Sequence, residues 1–120
     1  MNPLVFATRN PHKVRELTEM IAPLGLEAVS LDSIASHAPE VDETGDTFAA
    51  NAALKAINAY QATGGMPALA DDSGICVEAL NGAPGIRSAR FAGTEATDPD
   101  NNRKLLEDLQ GKTDRRAHFY

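Results

Sequence analysis

Two short segments carry residues whose types and spacing are typical of phosphate binding or metal binding. The first is Thr8-Arg9-Asn10-Pro11-His12-Lys13. Asn10 is a good helix N-cap, Pro11 suits the first helical position, and a helix N-terminus attracts phosphate through its unpaired N–H groups and partial positive charge. Lys13 would lie in the first turn, where the helix dipole disfavours a cation unless an anion binds there. The alternative is an ordinary capped helix with a solvated lysine.

The second segment, Asp71-Asp72-Ser73-Gly74, follows a short apolar run. Ligands of α/β proteins gather at the carboxyl ends of strands. Two carboxylates there could hold Mg²⁺ and orient or deprotonate a water molecule. Ser73 could donate a hydrogen bond to phosphate, and Gly74 permits close approach of the backbone. The alternative is a turn with solvated acids.

Further polar residues come from an acidic segment and from the helix expected after it. The segment is Asp42-Glu43-Thr44-Gly45, which alone is typical of a solvated loop but could supply a second carboxylate to a metal. The helix carries two stripes at helical spacing, one apolar and one polar. The apolar stripe is Ala50, Leu54 and Ile57, and the polar stripe is Thr47, Asn51, Lys55 and Asn58. Taken alone, the polar stripe reads as a solvent-facing side.

The elements that would position these residues alternate between strands and helices. Apolar runs predict strands at residues 4–7, 26–30, 68–70, 75–78 and 117–120. Amphipathic or alanine-rich periodicity predicts helices over residues 11 to about 24, over 47–62, and from a cap at Asp98-Pro99 through Leu109. Residues 31–45 lack a clean period and predict a loop. This order predicts an α/β fold.

Composition limits the possible functions. The chain has 120 residues, a net charge of −6 and one cysteine, which excludes an internal disulfide. An acidic chain without a basic run is a poor partner for nucleic acid. No apolar run approaches the roughly 20 residues that span a bilayer, and the N-terminus lacks signal-peptide features. We therefore expect a cytoplasmic protein without a membrane or nucleic-acid partner.

The candidate segments together resemble one family, the inosine/xanthosine triphosphate pyrophosphatases, which are Ham1-like nucleotide hydrolases. The matching residues are 7–13, 43–48 with 51–56, 70–75 and 82–93. They stand in the family's order and close to its spacing. The resemblance implies a mixed, twisted sheet flanked by helices in the two-lobed Ham1 fold of anticodon-pyrophosphatase type. It also implies Mg²⁺-dependent hydrolysis of dITP, ITP or XTP to the monophosphate and pyrophosphate, and a homodimer.

Residue roles carry over by position from that resemblance. The segment from Thr8 to Lys13 matches the triphosphate-binding turn, and Lys55 matches a helix lysine near the phosphates. Asp72 matches the proton acceptor and metal ligand, and Ser73 matches a substrate-binding residue. The family's second metal ligand, often a glutamate, falls on Asp42. Because aspartate is one methylene shorter, Glu43 stays an alternative at this position.

The resemblance also implies an incomplete chain. Family members continue with an aromatic-Gly-Tyr-Asp loop, a lysine and a Ser-His-Arg segment, which read the purine base. We therefore expect residues 1–120 to be the N-terminal part of a single domain and, on their own, to be inactive or nearly so. A Maf-like nucleotide pyrophosphatase and a non-catalytic nucleotide-binding module remain alternatives. Base preference distinguishes the first of these, and pyrophosphate release distinguishes the second.

Overall fold

The chain divides into two compact units at the Asp71–Asp72 peptide bond. The computed structural model describes residues 2–8, 10–36 and 41–120. The first unit is Met1–Asp71 and the second is Asp72–Tyr120.

A three-stranded parallel sheet organises the first unit. Its strands are β1 (Asn2–Phe6), β2 (Leu26–Ser30) and β3 (Ala68–Leu69), in the order β2-β1-β3. Central β1 contains most of the apolar run predicted at residues 4–7 but begins earlier, at Asn2, and its Val5 is fully buried. Its neighbours in the buried cluster are Ala7, Leu31, Ala35 and Ala59. Since parallel neighbours need long crossover connections, helices join these strands.

The first crossover helix begins where its sequence predicts but ends at Ile21, before the predicted end near residue 24. Helix α1 (Pro11–Ile21) is capped by Asn10, whose side chain accepts a hydrogen bond from the His12 N–H at 2.9 Å. A 3-10 turn, Ala22–Leu24, follows it. Gly25 then adopts a φ of +73°, a left-handed conformation that favours glycine. The chain can therefore turn directly into β2.

The predicted loop over residues 31–45 is wrong at its start. Helix α2 (Leu31–Ala35) begins there, and the Ser30 side chain caps it by accepting a hydrogen bond from the Ser33 N–H. Packing of Leu31 and Ala35 into the core stabilises a helix too short to show a period. Residues 37–40 lie outside the described part, and residues 41–45 are irregular as predicted.

Helix α3 (Phe48–Ala62) has the predicted extent, but its two stripes are reversed in burial. Thr47 caps it by accepting a hydrogen bond from the Ala50 N–H. On the apolar stripe Ile57 is 56% exposed, whereas Asn51 on the polar stripe is 0% exposed. The polar stripe therefore faces the protein for part of its length, and the solvent-facing interpretation is wrong at Asn51.

The second unit contains an antiparallel pair of strands and one longer helix. Strands β4 (Ile75–Val77) and β5 (Ala117–Phe119) pair antiparallel. Helix α4 (Asp98–Asp108) is capped by Thr97, one residue before the predicted Asp98. Thr97 accepts from the Asp100 N–H while the Asp100 carboxylate accepts from the Thr97 N–H. This reciprocal capping box explains the earlier start.

The fold class is confirmed as α/β with a parallel sheet flanked by helices. Parallel and antiparallel pairing occur in separate sheets among the described residues. None of the helices in the described ranges combines the length and the apolar character needed to cross a membrane.

Candidate functional site

The turn between β1 and α1 contains a hydrogen bond between two of its own residues, Thr8 and Asn10. Thr8 is half-buried, and its hydroxyl accepts a hydrogen bond from the Asn10 N–H at 3.2 Å. Asn10, Pro11 and His12 are exposed. Arg9 lies outside the described residues. The helix start is therefore confirmed, while phosphate binding at this turn stays a prediction.

A small cavity of about 340 Å³ lies beside this turn. Its lining residues are Thr8, Pro11, Val14, Ser30 and Asp32. The cavity joins the start of α1 to the start of α2, so Thr8 lies at a concave part of the surface.

Lys13 contacts the end of β3. Its Nζ lies 3.1 Å from Asp71 Oδ2 and 3.3 Å from Asp71 Oδ1. The two residues are 58 positions apart in the chain. The parallel sheet brings them together, because the carboxyl ends of adjacent parallel strands meet at one edge. A residue after β1 therefore contacts a residue after β3.

Lys55 reaches the same edge from α3. Its Nζ lies 2.9 Å from Glu43 Oε1 and 3.0 Å from the Asp71 carbonyl oxygen. The side chains of Lys55 and Glu43 are only 22% and 24% exposed. Partial burial strengthens such a pair relative to one on the open surface. Both predicted phosphate-binding lysines therefore meet at Asp71.

The acidic segment is held to α3 through its backbone. The Gly45 N–H donates a hydrogen bond to Asn51 Oδ1 at 2.8 Å. Asp42 is exposed, and its carbonyl accepts a hydrogen bond from the Thr44 N–H. Glu43 is half-buried against Lys55, whereas Asp42 is exposed. Of these two carboxylates, Glu43 is therefore the one that lies beside a lysine.

The donors of this segment suit a magnesium ion. No group of three metal-ligating side chains is assembled within the described ranges. Mg²⁺ prefers oxygen ligands and commonly takes one or two protein carboxylates, with water and substrate phosphates completing its shell. Glu43 provides a carboxylate oxygen next to Lys55, a cationic side chain that could bind phosphate. The residues present therefore fit Mg²⁺ held in this manner.

Asp72 and Ser73 begin the second unit. Asp72 is half-buried, with its Oδ2 atom inaccessible to solvent, and Ser73 is exposed. A Cβ at Gly74 would collide with the Gly85 carbonyl and the Ser88 hydroxyl, so this position requires glycine. Since the chain is tightly packed directly after Ser73, the conformation of the turn is restricted.

The segment over residues 82–93, which is part of the family resemblance and carries Arg87 and Arg90, is also braced within the second unit. Ser88 Oγ accepts a hydrogen bond from the Ile75 N–H at 2.9 Å and donates to the Gly85 carbonyl at 2.6 Å. Asn101 accepts from the Ala92 N–H and donates to the Ala89 carbonyl. These contacts fix the segment's backbone.

Two residues in this region have surroundings that the sequence does not predict. The sequence indicates Asp71, with Asp72, as a possible metal ligand, but Asp71 contacts both lysines. The sequence places Asn51 on a polar stripe, but Asn51 is fully buried. The spacing of Asn51 and Lys55 at i and i+4 was the available signal for a shared contact surface.

Comparison with known proteins identifies similar chains. A family model described as the Ham1 family matches residues 4–120. The dITP/XTP pyrophosphatase of Nitrosomonas europaea is 52% identical over 120 residues, which are 100% of this chain and 58% of the relative. The enzyme of the same name from Exiguobacterium sp. is 57% identical over 116 residues, covering 97% of this chain and 58% of the relative.

Solved structures agree with these sequence relatives. A Ham1 protein from Coxiella burnetii superposes with a TM-score of 0.86 at 41% identity, over 99% of this chain and 60% of the other. The Staphylococcus aureus Ham1 protein gives a TM-score of 0.81 at 41% identity, over 98% and 59%. The chain thus spans about three-fifths of the length of these relatives.

Proposed function

Since the chain belongs to the Ham1 family, we propose that it forms the phosphate- and metal-binding part of a nucleoside triphosphate pyrophosphatase. The substrates are non-canonical purine nucleotides such as dITP, ITP and XTP, and the products are the monophosphate and pyrophosphate. The names of the similar bacterial enzymes support this class of substrate. One structural observation carries the proposal, namely that Lys13 and Lys55 converge on Asp71.

Substrate binding would replace the carboxylate partners of the two lysines with phosphate oxygens. The Lys13 ammonium group contacts the Asp71 carboxylate, and the Lys55 ammonium group contacts Glu43. A triphosphate brings several negative charges, to which positioned cations make charge-assisted hydrogen bonds. Lys13, with the start of α1, would bind phosphate oxygens, and Ser73 would donate to another. Lys55 would stabilise charge that develops on the phosphates during reaction.

Mg²⁺ supplies Lewis-acid polarisation of phosphate oxygens and lowers the pKa of a bound water. Asp72 would hold the ion together with Asp42 or Glu43. The family pattern supports all three assignments, and the closeness of Glu43 to Lys55 supports Glu43 over Asp42.

Asp72 takes the proton in the proposed reaction. Water attacks phosphorus, a new P–O bond forms, and the bond between the α and β phosphates breaks to release pyrophosphate. The attacking water transfers its proton to the Asp72 carboxylate. A half-buried carboxylate with one inaccessible oxygen is held in a limited set of orientations, which suits a positioned general base.

Assembly as a homodimer and a cytoplasmic location complete the proposal. The homodimer is supported by the family resemblance alone, and the cytoplasmic location by the single cysteine, which suits a reducing compartment. Neither alters the assignment of the phosphate-binding residues.

Asp72→Asn in the full-length protein tests this function. The substitution keeps the shape of the side chain and removes its charge and basicity, so pyrophosphate release from ITP should fall by about 10²–10⁴-fold. Asp114→Asn is the matched control, because Asp114 is in the second unit and pairs with Arg116. Its turnover should equal that of the unmodified protein, and circular dichroism should show both variants folded.

The same assay separates the alternatives. Turnover by Asp72→Asn at the unmodified rate would remove Asp72 from the mechanism. Preference for pyrimidine triphosphates over ITP would favour a Maf-like enzyme. Protection of the unmodified protein by ITP without pyrophosphate release would favour a nucleotide-binding module.

A further inference from the structure

Asn51 is the fully buried polar side chain of α3, and its role is not explained by the lysine contacts. It is 0% exposed and stands four residues before Lys55 on the same side of the helix. Its Oδ1 accepts a hydrogen bond from the Gly45 N–H at 2.8 Å. A buried amide of the helix therefore holds the backbone of the acidic segment.

Gly45 allows this contact because it has no side chain. A Cβ built at Gly45 would lie 2.7 Å from Asn51 Oδ1 and 2.7 Å from Ala50 Cβ. Both distances are shorter than real Cβ contacts allow. The acidic segment therefore lies directly on the first turn of α3, closer than a segment with a side chain at this position could approach.

Two contacts hold the acidic segment along the helix in one register. Gly45 contacts Asn51, and Glu43 contacts Lys55 at 2.9 Å. Two residues of chain span at most about 7 Å. Four residues of helix rise about 6 Å. Because the two lengths match, fixing Gly45 on Asn51 places Glu43 beside Lys55.

The burial of the Asn51 amide nitrogen is not explained by a contact that would stabilise the fold. Its Nδ2 is inaccessible to solvent and has no hydrogen-bond partner among the described residues. The orientation of the amide is fixed, because only the oxygen can accept from the Gly45 N–H. An unsatisfied buried donor destabilises the folded state. An asparagine kept at such a cost points to a function of the segment it holds.

We propose that Asn51 is a positioning residue that fixes the acidic segment so that the Glu43 carboxylate is placed for a divalent cation. The inference rests on the proposed function in assigning Glu43 to Mg²⁺. Asn51 acts through Gly45 and does not itself touch the metal. The residues that orient metal ligands commonly contribute ten- to a hundredfold to metal affinity.

Metal binding without substrate tests the inference. Mn²⁺ is titrated into the nucleotide-free, full-length protein and followed by electron paramagnetic resonance. Asn51→Ala should weaken Mn²⁺ binding by about tenfold, in the range typical of residues that orient ligands. Gly45→Ala breaks the same contact from the other side and should weaken it in the same direction. Asn58→Ala, on the same stripe of the helix, should bind Mn²⁺ as the unmodified protein does.

Activity gives a second readout that separates positioning from general damage. In Asn51→Ala the Mg²⁺ concentration for half-maximal ITP hydrolysis should rise about tenfold, with a smaller change in KM for ITP at saturating Mg²⁺. Unchanged Mn²⁺ affinity in both Asn51→Ala and Gly45→Ala overturns the inference. If the unmodified protein lacks pyrophosphatase activity but the Mn²⁺ shifts occur, the proposed function fails while the positioning role of Asn51 stands.

Discussion

Asn51 in the first unit and Asn101 in the second are both buried asparagines, at 0% and 8% exposure, but their amides are used differently. Asn101 accepts a hydrogen bond from the Ala92 N–H at 2.9 Å and donates one to the Ala89 carbonyl at 3.0 Å. Asn51 accepts one from the Gly45 N–H, and its Nδ2 lacks a hydrogen-bond partner in the described parts of the chain.

The difference indicates that Asn101 stabilises the fold, whereas Asn51 positions a segment of the chain. Both ends of the Asn101 amide satisfy backbone groups, so the stability of the second unit is enough to explain it. At Asn51 only one end is satisfied, and the buried donor destabilises the fold. Departures from complete hydrogen bonding concentrate where function requires them. The acidic segment held by Asn51 is therefore the better candidate for a functional role.

The lysines of the two units also make different kinds of contact. Lys104 contacts Asp108 on its own helix at 2.8 Å and lies 4.1 Å from the centre of the Phe91 ring. The polar contacts of Lys13 and Lys55 instead join residues 58 and 16 positions apart in the chain. The Lys104–Asp108 ion pair stabilises its own helix, whereas the contacts of Lys13 and Lys55 hold separate segments together.

Substitution of Lys13 or Lys55 should have the largest effect, which is a loss of affinity for a triphosphate. In the full-length protein, Lys13→Ala and Lys55→Ala should each weaken binding of a non-hydrolysable ITP analogue by about ten- to a hundredfold, because a charge-assisted phosphate contact contributes roughly 1.5–3 kcal/mol. Binding of IMP should weaken less. Lys104→Ala should leave both affinities unchanged. Calorimetric titration measures all three, and equal losses for analogue and IMP would exclude the triphosphate contact for that lysine.

The two asparagines should differ in stability. Asn101→Ala leaves two backbone groups without their partner and should lower the free energy of unfolding by about 2–3 kcal/mol. Asn51→Ala leaves only the Gly45 N–H and also removes the unsatisfied donor, so the expected loss is about 1 kcal/mol. Urea denaturation of the full-length variants measures both. A larger loss at Asn51 than at Asn101 would mean that Asn51 is the stronger brace.

An exposed ion pair of the second unit should give the smallest effect. The side chain and then the backbone N–H of Arg116 donate hydrogen bonds that lower the pKa of Asp114 from 3.8 to about 2. Because the carboxylate form is favoured in the folded state, its stabilisation is present above pH 3.8 and is lost as the pH falls towards 2.

Asp114→Asn should therefore lower the thermal midpoint slightly at pH 6, since exposed pairs are screened by solvent. The difference should shrink as the pH falls from 3.8 through about 2, the pKa of Asp114 in the folded state, and it should also shrink in high salt. Differential scanning calorimetry measures it. A difference as large at pH 2 as at pH 6 would show that the pair acts through packing rather than charge.

Local signals made most of the fold predictable from the sequence. Asn10 with Pro11 marks the start of α1, and Thr47 precedes the alanine-rich α3. Each of these depends on neighbours in the chain, which the sequence displays directly. Helix α2 could not be predicted, because five residues show no period and tertiary packing decides their conformation.

The candidate site was predictable in its residues but not in its contacts. Lys13, Lys55 and Glu43 could be chosen from the sequence by their types and by a family resemblance. The meeting of the two lysines at Asp71 depends on a parallel register that no local pattern encodes. The burial of Asn51 could not be predicted for the same reason. The sheet and Gly45 determine which side of α3 faces inward, and the apolar side chains of the helix do not.

The short strand β3 sets how this region can tolerate changes in length. Only Ala68 and Leu69 pair with β1, opposite Val5 and Phe6. One residue of strand advances the chain by about 3.3 Å, as much as the whole separation of Lys13 Nζ from Asp71 Oδ2. A deletion between Ala68 and Asp71 would therefore break both lysine contacts at once. The turn after Ala62 lies outside this register, so insertions and deletions in the evolution of the chain should accumulate there.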